Sequence, residues 1–117
     1  MSGLERIAAE RKRQMEVEGW TFAHDDLHSD GEIALAAICY ASPVPIKAKA
    51  TLPYNCGCRE ACCPHSHMTS TQWIDPWPWD EVWDKREKHS RIRQLEIAGA
   101  LIAAEIDRLE RERAKGA

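Results

Sequence analysis

The longest periodic segment of the chain lies near its C-terminus and limits the fold more than any other feature. Between about Ser90 and Arg113, apolar residues and one glycine recur at spacings of three and four, at Ile92, Leu95, Gly99, Ile102, Ile106 and Leu109. This spacing places the side chains on one face of an α-helix, as in the seam of a coiled coil. Small residues on both sides of Gly99 let another helix approach closely. The segment therefore predicts a long helix that packs against a partner helix.

Two further helices are predicted closer to the N-terminus. Ser2 and Glu5 form a capping-box pattern, and the segment 4–18 carries its apolar residues on one face. The charged residues of this segment are expected in solvent. A second helix is expected to begin at Ser29, and because its residues 33–41 are apolar almost all round, it belongs in the middle of a core.

No segment shows the alternation of a convincing strand, so we predict the all-α class. The expected architecture is a small helical bundle with a long irregular Cys/His-rich insertion, at about residues 42–72, between the second and the last long helix. The length of 117 residues fits a single domain, 1–117, with a charged C-terminal tail at about 110–117.

Composition limits the class of partner. No run approaches the roughly 18 apolar residues that cross a membrane, and the N-terminus lacks an apolar secretion stretch. We therefore expect a cytoplasmic protein without a membrane partner. The formal net charge of −3 argues against direct binding to a nucleic-acid backbone, which demands a basic surface.

Six candidate metal ligands are concentrated in the predicted insertion. They are four cysteines and two histidines, namely Cys56, Cys58, Cys62, Cys63, His65 and His67. Zinc prefers four thiolate or imidazole ligands, and a full set of four leaves no open position for catalysis. The sequence therefore predicts a structural zinc site, with Cys56, Cys58, Cys62 and one of the two histidines as the preferred ligands. Free thiols or a disulfide are the alternatives.

A second group of polar residues surrounds the start of the second helix. It comprises His24, Asp25, Asp26, His28 and Glu32, and Glu105 on the last helix is expected to join it. Carboxylates and imidazoles brought into one recess can bind a ligand, hold Mg²⁺ or supply a general base. Alternatively, the aspartates cap neighbouring elements, and Glu105 pairs with an arginine such as Arg11 or Arg13.

Five tryptophans are a heavy aromatic load for a chain with one phenylalanine. Trp20, Trp77 and Trp79 are the candidates for ligand contact, because aromatic rings stack on nucleobases and anchor interfaces. The stiff Trp77-Pro78-Trp79 segment would hold such a surface in place. The alternative is that the tryptophans complete the core over the long helices.

Several short motifs lie in the two ends of the chain. They are Glu10-Arg11-x-Arg13-Gln14, Glu18-Gly19-Trp20-Thr21, His24-Asp25-Asp26, Gly31-Glu32-x-Ala34, Trp77-Pro78-Trp79 and the segment 98–108. Together they resemble a recurrent group of small phage and prophage proteins, over about two thirds of the chain but not over the cysteine-rich middle. The resemblance implies a viral origin and action inside a bacterial host. Small phage proteins of this kind often block a host defence protein or sequester a nucleotide signal, although the group brings no assigned activity with it.

Three functions are compatible with these features. Binding of a host protein or a small nucleotide-like ligand without turnover is favoured, because the sequence contains no complete catalytic motif. The first alternative is a Mg²⁺-dependent nucleotide pyrophosphohydrolase, although the paired acidic motifs typical of all-α enzymes of that class are missing. The second is a dimerising structural protein, in which the seam from Ile92 to Leu109 pairs with a second copy of the chain.

Overall fold

The fold was determined from a computed structural model that describes residues 1–53 and 69–116. Its elements in chain order are α1 (Gly3–Glu16), α2 (Phe22–Asp26), α3 (Glu32–Ala41), β1 (Ala48–Pro53), β2 (Thr69–Ile74) and α4 (Arg91–Lys115). Short 3₁₀ turns at Glu81–Trp83 and Arg86–Lys88 precede α4. The chain divides into a helical unit, Met1–Pro45 with Trp77–Ala117, and a strand unit, Ile46–Pro76.

The prediction of the all-α class is wrong, because residues within and next to the predicted irregular insertion form a two-stranded antiparallel sheet. In this sheet β1 pairs with β2, with Ala48 opposite Ile74 and Thr51 opposite Thr71. Threonine fits the pleated surface of a strand, and a Thr–Thr pair across two strands adds to their stability. Within residues 1–53 and 69–116 the protein is therefore mostly helical with a small sheet, and the prediction of an all-helical bundle is corrected by the two strands.

The core of the helical unit lies between α3 and α4. It consists of Ile33, Ala36, Ala37, Tyr40, Ile97, Ala98, Leu101 and Ala104. The alanines allow the two helices to approach closely, and the larger side chains interlock between them. Complete burial of one large aliphatic side chain stabilises a fold by about 1.5–3 kcal/mol. The α3–α4 interface is therefore held by apolar packing.

The buried face of α1 is polar, contrary to the expectation from the sequence. Glu10 and Arg11 are buried, whereas Leu4 is 81% exposed. The carboxylate of Glu10 pairs with Arg93 of α4, and Nη2 of Arg11 donates to Oδ2 of Asp25 over 2.6 Å. A charge leaves water at acceptable cost only when it is paired and hydrogen-bonded. Ion pairs therefore attach α1 to the rest of the helical unit.

The predicted seam of α4 is largely exposed to solvent. Its large residues, Ile92, Leu95, Ile102, Ile106 and Leu109, are between 44% and 59% exposed. At Gly99, in the middle of the seam, an added Cβ would lie 2.5 Å from Cδ1 of Ile7 in α1. Helix α1 therefore covers the seam at Gly99 and leaves the large residues on either side open. Although α4 has 25 residues, no helix within residues 1–53 and 69–116 is apolar enough over a sufficient length to cross a membrane.

Candidate binding cavity

Helix α2 was not among the helices predicted from the sequence, and α2 with the two residues that follow it places two imidazoles side by side. The side chain of Thr21 caps this helix by accepting from the backbone N–H of His24 over 3.3 Å. His24 and His28 are four residues apart, which is about one helical turn, and their ring centroids are 5.0 Å apart. Asp25, between them in the sequence, is 3% exposed. The α2 segment thus directs two rings and one carboxylate toward the interior of the helical unit.

Six aromatic rings follow one another along the wall of a cavity in the helical unit. Their order is Trp20, His24, His28, Trp79, Trp77 and Tyr40. Neighbouring ring centroids are between 5.0 and 6.1 Å apart. The Trp20–His24 pair is stacked, and the other contacts are edge-to-face. Both arrangements are favourable for aromatic pairs, so each ring holds its neighbour in a defined orientation.

The cavity has an apolar floor and an aromatic wall. Its volume is about 170 Å³, and its floor is formed by the buried residues Ile33, Ile97 and Leu101. The side chain of His24 is 39% exposed, and Trp83 at the rim is 61% exposed. The cavity is therefore accessible from solvent. A cavity of roughly 150 Å³ is enough for one benzene-sized ring, so this volume suits a single flat ring system.

Each imidazole in the wall is bonded to a carboxylate through Nδ1. Nδ1 of His24 lies 3.2 Å from Oδ1 of Asp25, and Nδ1 of His28 lies 2.9 Å from Oε2 of Glu32. Because an ionised carboxylate only accepts hydrogen bonds, we assign the proton of each neutral ring to Nδ1. The Nε2 atom of each neutral imidazole is then a hydrogen-bond acceptor.

Asp25 is held from behind by a buried cation. Its second oxygen, Oδ2, accepts from Nη2 of Arg11 over 2.6 Å, and both side chains are at least 90% buried. The Nε and Nη1 atoms of Arg11 have no hydrogen-bond partner among the described residues. The charge of Asp25 is therefore compensated from within the protein, and this carboxylate positions His24.

Trp79 lines the cavity, and its side chain also carries a buried hydrogen-bond donor without a partner among the described residues. Its Nε1 is buried and meets no acceptor in the part of the chain that the structure describes. In contrast, Nε1 of Trp77 donates to the backbone oxygen of Asp80 over 3.1 Å. A buried donor without a partner costs about 1–3 kcal/mol, so an acceptor that reached Trp79 Nε1 would be bound favourably.

The cavity also includes residues that the sequence did not identify as candidates for ligand contact. They are Tyr40, Trp83 and the three aliphatic residues of the floor. Burial raises the pKa of the Tyr40 hydroxyl, which therefore stays protonated at neutral pH. Tyr40 is the one residue with a hydroxyl group in the apolar segment 33–41. A polar tip in an otherwise apolar helix is a signal that could have singled it out.

The predicted ligand-binding residues divide into two sets. The cavity wall brings together Trp20, His24, Asp25, His28, Trp77 and Trp79. Glu32 is not among the lining residues of the cavity, and it contacts the wall through its hydrogen bond with His28. Burial acts to raise the pKa of Glu32, but hydrogen bonds from His28 and from the Asp30 N–H outweigh it and lower that pKa.

The other two predicted carboxylates are bonded to arginines elsewhere in the helical unit. Oδ1 of Asp26 accepts from Nη2 of Arg111 over 2.7 Å, and this hydrogen bond lowers the pKa of Asp26. Glu105 lies four residues beyond the cavity residue Leu101, on the same buried face of α4. Its carboxylate accepts a hydrogen bond from Nε of Arg108. The carboxylates of the predicted acidic recess are therefore divided among separate cations.

Metal binding was predicted for a segment that lies outside the described residues. Cys56, Cys58, Cys62, Cys63, His65 and His67 all fall between the described ranges. Within residues 1–53 and 69–116, no group of three or more His, Cys, Asp or Glu residues is arranged to hold a metal ion. The structural zinc site stays a prediction, and metal analysis of the purified protein tests it.

Comparison with known proteins adds no assignment to this geometry. No protein-family model matches the chain, and no curated protein or solved structure matches it either.

Proposed function

We propose that the helical unit binds a small ligand through a flat heteroaromatic ring of the nucleobase class and releases that ligand unchanged. The observation that carries the proposal is the continuous row of six rings above an apolar floor. Aromatic side chains bind nucleobases by stacking, which contributes about 1–3 kcal/mol per base. The cavity volume of about 170 Å³ takes one ring system and leaves any sugar or phosphate of the ligand outside.

The polar atoms of the wall favour a ring that carries an amino group next to a ring nitrogen. Trp79 Nε1 is a donor without a partner among the described residues, and it suits a ring nitrogen that accepts. The Nε2 atoms of neutral His24 and His28 are acceptors, and they suit an exocyclic amine that donates. Adenine and cytosine present this pair of groups on one edge, whereas uracil presents a ring N–H between two carbonyls. We therefore propose aminated bases as the preferred ligands.

The charges around the cavity favour binding over hydrolysis. Asp25 is paired with Arg11, Asp26 with Arg111 and Glu105 with Arg108. A carboxylate that binds Mg²⁺ beside a polyphosphate needs its oxygens available to the ion. A pyrophosphohydrolase would have to break these pairs first, so binding without turnover is the simpler use of the site.

The biological setting of this proposal comes from the resemblance to small phage proteins. We propose that the protein acts in the cytoplasm of an infected bacterium, where holding a nucleotide-like signal or engaging a host protein would counter host defence. Neither a nucleic-acid backbone nor a membrane is a partner in this proposal.

Isothermal titration calorimetry with a series of small probes tests the proposal. Adenosine 5′-monophosphate and cytidine 5′-monophosphate are expected to bind, uridine 5′-monophosphate to bind more weakly, and ribose 5-phosphate not to bind. Trp79→Phe keeps an aromatic ring but removes the donor, so the affinity for the adenine probe should fall about tenfold, as expected for a lost buried hydrogen bond. Val82→Ala is the control, because Val82 is 68% exposed beside the rim residue Trp83.

The outcomes separate binding from catalysis. Heat of binding from the base-containing probes, with none from ribose 5-phosphate, supports the proposal. Absence of binding by all base-containing probes would overturn it. Phosphorus NMR of nucleoside triphosphates with Mg²⁺ and the protein should show unchanged substrate. Release of pyrophosphate would establish the hydrolase instead.

A further inference from the structure

Glu32 contacts the cavity wall from outside the lining. It is the first residue of α3, and its Oε2 lies 2.9 Å from Nδ1 of the lining residue His28. Its other oxygen, Oε1, accepts from the backbone N–H of Asp30 over 2.6 Å. The carboxylate is therefore held at both oxygens, one by the backbone and one by the imidazole.

The turn between α2 and α3 explains why Glu32 reaches back to His28. Gly31, which lies just before α3, has a φ of +85°, in the left-handed region that glycine adopts without steric cost. No side chain caps the start of α3 at this position. The chain turns at Gly31, and the first side chain of the helix bonds to the backbone N–H of Asp30 and to the ring four residues earlier.

The charge of Glu32 decides which nitrogen of His28 carries the proton. Burial acts to raise the pKa of Glu32, but the hydrogen bonds from His28 and from the Asp30 N–H lower it overall, so the side chain is ionised at neutral pH. An ionised carboxylate only accepts, which places the proton of the neutral ring on Nδ1. Within residues 1–53 and 69–116 this is the only hydrogen bond of the His28 ring. Nε2 is therefore an acceptor available to a ligand.

The second imidazole of the wall is held in a different way. Asp25 divides its oxygens between His24 and the buried Arg11, so a change at Asp25 also leaves a buried cation without its partner. Glu32 pairs with no arginine or lysine in the described part of the chain, and its side chain is 22% exposed. The hydrogen-bonding pattern of the wall can therefore be changed at Glu32 without breaking a buried ion pair.

On the basis of the proposed function, we propose that Glu32 determines which bases the cavity accepts, because it holds His28 in the form whose Nε2 accepts a hydrogen bond. An accepting nitrogen pairs with the amino group of cytosine, whereas uracil presents a carbonyl oxygen at the same position of its ring. A site built around a hydrogen bond discriminates against a ligand that cannot form it. Glu32 is thus a positioning residue, which acts through His28 and does not touch the ligand.

Glu32→Gln reverses the proton on His28 with almost no change in shape. The Asp30 N–H needs an acceptor, so the amide oxygen of the glutamine faces Asp30 and its NH₂ group faces Nδ1 of His28. Nδ1 must then accept, which moves the ring proton to Nε2. Nε2 becomes a donor that suits the carbonyl of uracil and opposes the amino group of cytosine. The variant should therefore lose the preference for aminated bases.

The position of the ring proton is measured first, in the protein without ligand. Two-bond ¹H–¹⁵N spectra at about pH 8.5, above the range in which histidine usually titrates, distinguish a protonated Nδ1 from a protonated Nε2. The His28 signals are assigned by their absence from His28→Phe. The expected result is a proton on Nδ1 in the wild type and on Nε2 in Glu32→Gln.

The base preference is measured at the same pH by isothermal titration calorimetry. Cytidine 5′-monophosphate and uridine 5′-monophosphate carry the same sugar and phosphate, so the ratio of their affinities reports the base alone. The preference for cytidine 5′-monophosphate should fall at least about tenfold in Glu32→Gln, as expected when one hydrogen bond is exchanged for a mismatch.

Glu96→Gln is the matched control. It removes the same charge from a side chain of similar exposure, 19% for Glu96 against 22% for Glu32, and Glu96 is not a lining residue of the cavity. This control should leave the His28 spectrum and the affinity ratio unchanged. If circular dichroism shows that Glu32→Gln is unfolded, His28→Phe takes its place, because it keeps a ring without nitrogens and should bring the ratio toward one.

The results distinguish this proposal from the proposed function. A proton that stays on Nδ1 in folded Glu32→Gln would overturn the role of Glu32 alone, and so would nucleotide binding with a ratio that neither Glu32→Gln nor His28→Phe alters. A wild type that binds neither nucleotide would overturn the proposed function, and the base preference with it.

Discussion

Helix α4 packs against α3 and against α1 by two different means. Toward α3 it presents alanines, Ile97 and Leu101, which are buried in an apolar core. Toward α1 it presents Arg93, which pairs with the buried Glu10. The first interface depends on shape and the exclusion of water. The second depends on the pairing of charges that would be costly to bury alone.

This difference predicts how each interface responds to substitution. An apolar interface loses stability in proportion to the atoms removed and the space left behind. A buried ion pair is different, because removal of one partner leaves an uncompensated charge, whereas replacement of both by apolar residues is often neutral or stabilising. The two interfaces can therefore be told apart by single and paired substitutions.

The largest effect is expected at the Arg11–Asp25 pair, which joins α1 to α2 by the same pairing of buried charges that joins α1 to α4. Asp25→Ala leaves the guanidinium of Arg11 buried without its carboxylate, and removal of one partner from a buried pair costs roughly 3–5 kcal/mol of folding free energy. Urea denaturation measures this loss. Asp26→Ala is the control, because its partner Arg111 is partly exposed, and the midpoint should move much less.

The double variant Arg11→Met/Asp25→Leu sharpens the same test. It removes both charges, so it should regain most of the stability that Asp25→Ala loses. A double variant that is less stable than Asp25→Ala would show that apolar packing cannot replace the pair at this site.

A smaller loss is expected from the apolar interface. Leu101→Ala removes a side chain that is 4% exposed, and truncation of such a residue costs about 3 kcal/mol. The same change enlarges the cavity floor, so it should also weaken binding of the adenine probe. Leu27→Ala is the control, because Leu27 is 79% exposed. If both variants unfold at the same urea concentration, α3 and α4 are not held together by apolar packing.

Helices α1 and α4 also contact each other at Gly99, where a substitution should have a smaller effect on stability than Leu101→Ala. Gly99→Ala brings a methyl group against Ile7, whose branched side chain adjusts poorly, so we expect a loss of about 1 kcal/mol. With Ile7→Ala present, the same change should instead stabilise the helix by roughly 0.5–1 kcal/mol, because alanine favours a helix more than glycine does. A double-mutant cycle from thermal unfolding measures the difference. Equal effects of Gly99→Ala in both backgrounds would contradict this contact.

The smallest effect is expected from a partly exposed ion pair. A hydrogen bond from Arg86 lowers the pKa of Asp84 below its ordinary value of 3.8. A carboxyl group whose pKa is lower in the folded protein stabilises the fold above its unfolded pKa, and this contribution is lost as the pH falls through the folded pKa. Asp84→Asn should therefore flatten the decrease in melting temperature between about pH 5 and pH 2. An unchanged acid limb would contradict the assignment.

The sequence predicted the parts of the fold that depend on local signals. The capping box of Ser2 and Glu5 is present at the start of α1, and the apolar segment 33–41 lies in a buried helix. The face of α1 was wrong, because hydropathy assigns Glu10 to solvent. Its partner Arg93 lies far away in the sequence, so the pair becomes visible only when α1 and α4 are packed together.

The sheet and the cavity show the same limit. β1 and β2 were missed because each strand is weakly patterned alone and is stabilised by its pairing across the sheet. In the cavity, the spacing of His24 and His28 and the Trp77-Pro78-Trp79 segment could be found from the sequence. Tyr40 and the aliphatic floor depend on how α3 packs against α4, which no local pattern reveals.

The central claim is that the row of aromatic rings receives a nucleobase. The most direct test is the ¹H–¹⁵N spectrum of the indole N–H groups during titration with adenosine 5′-monophosphate, with the Trp79 signal assigned by its absence from Trp79→Phe. The account predicts a saturating shift of the Trp79 signal, because its buried N–H gains an acceptor. A Trp79 signal that stays in place at a saturating concentration of the probe would contradict it.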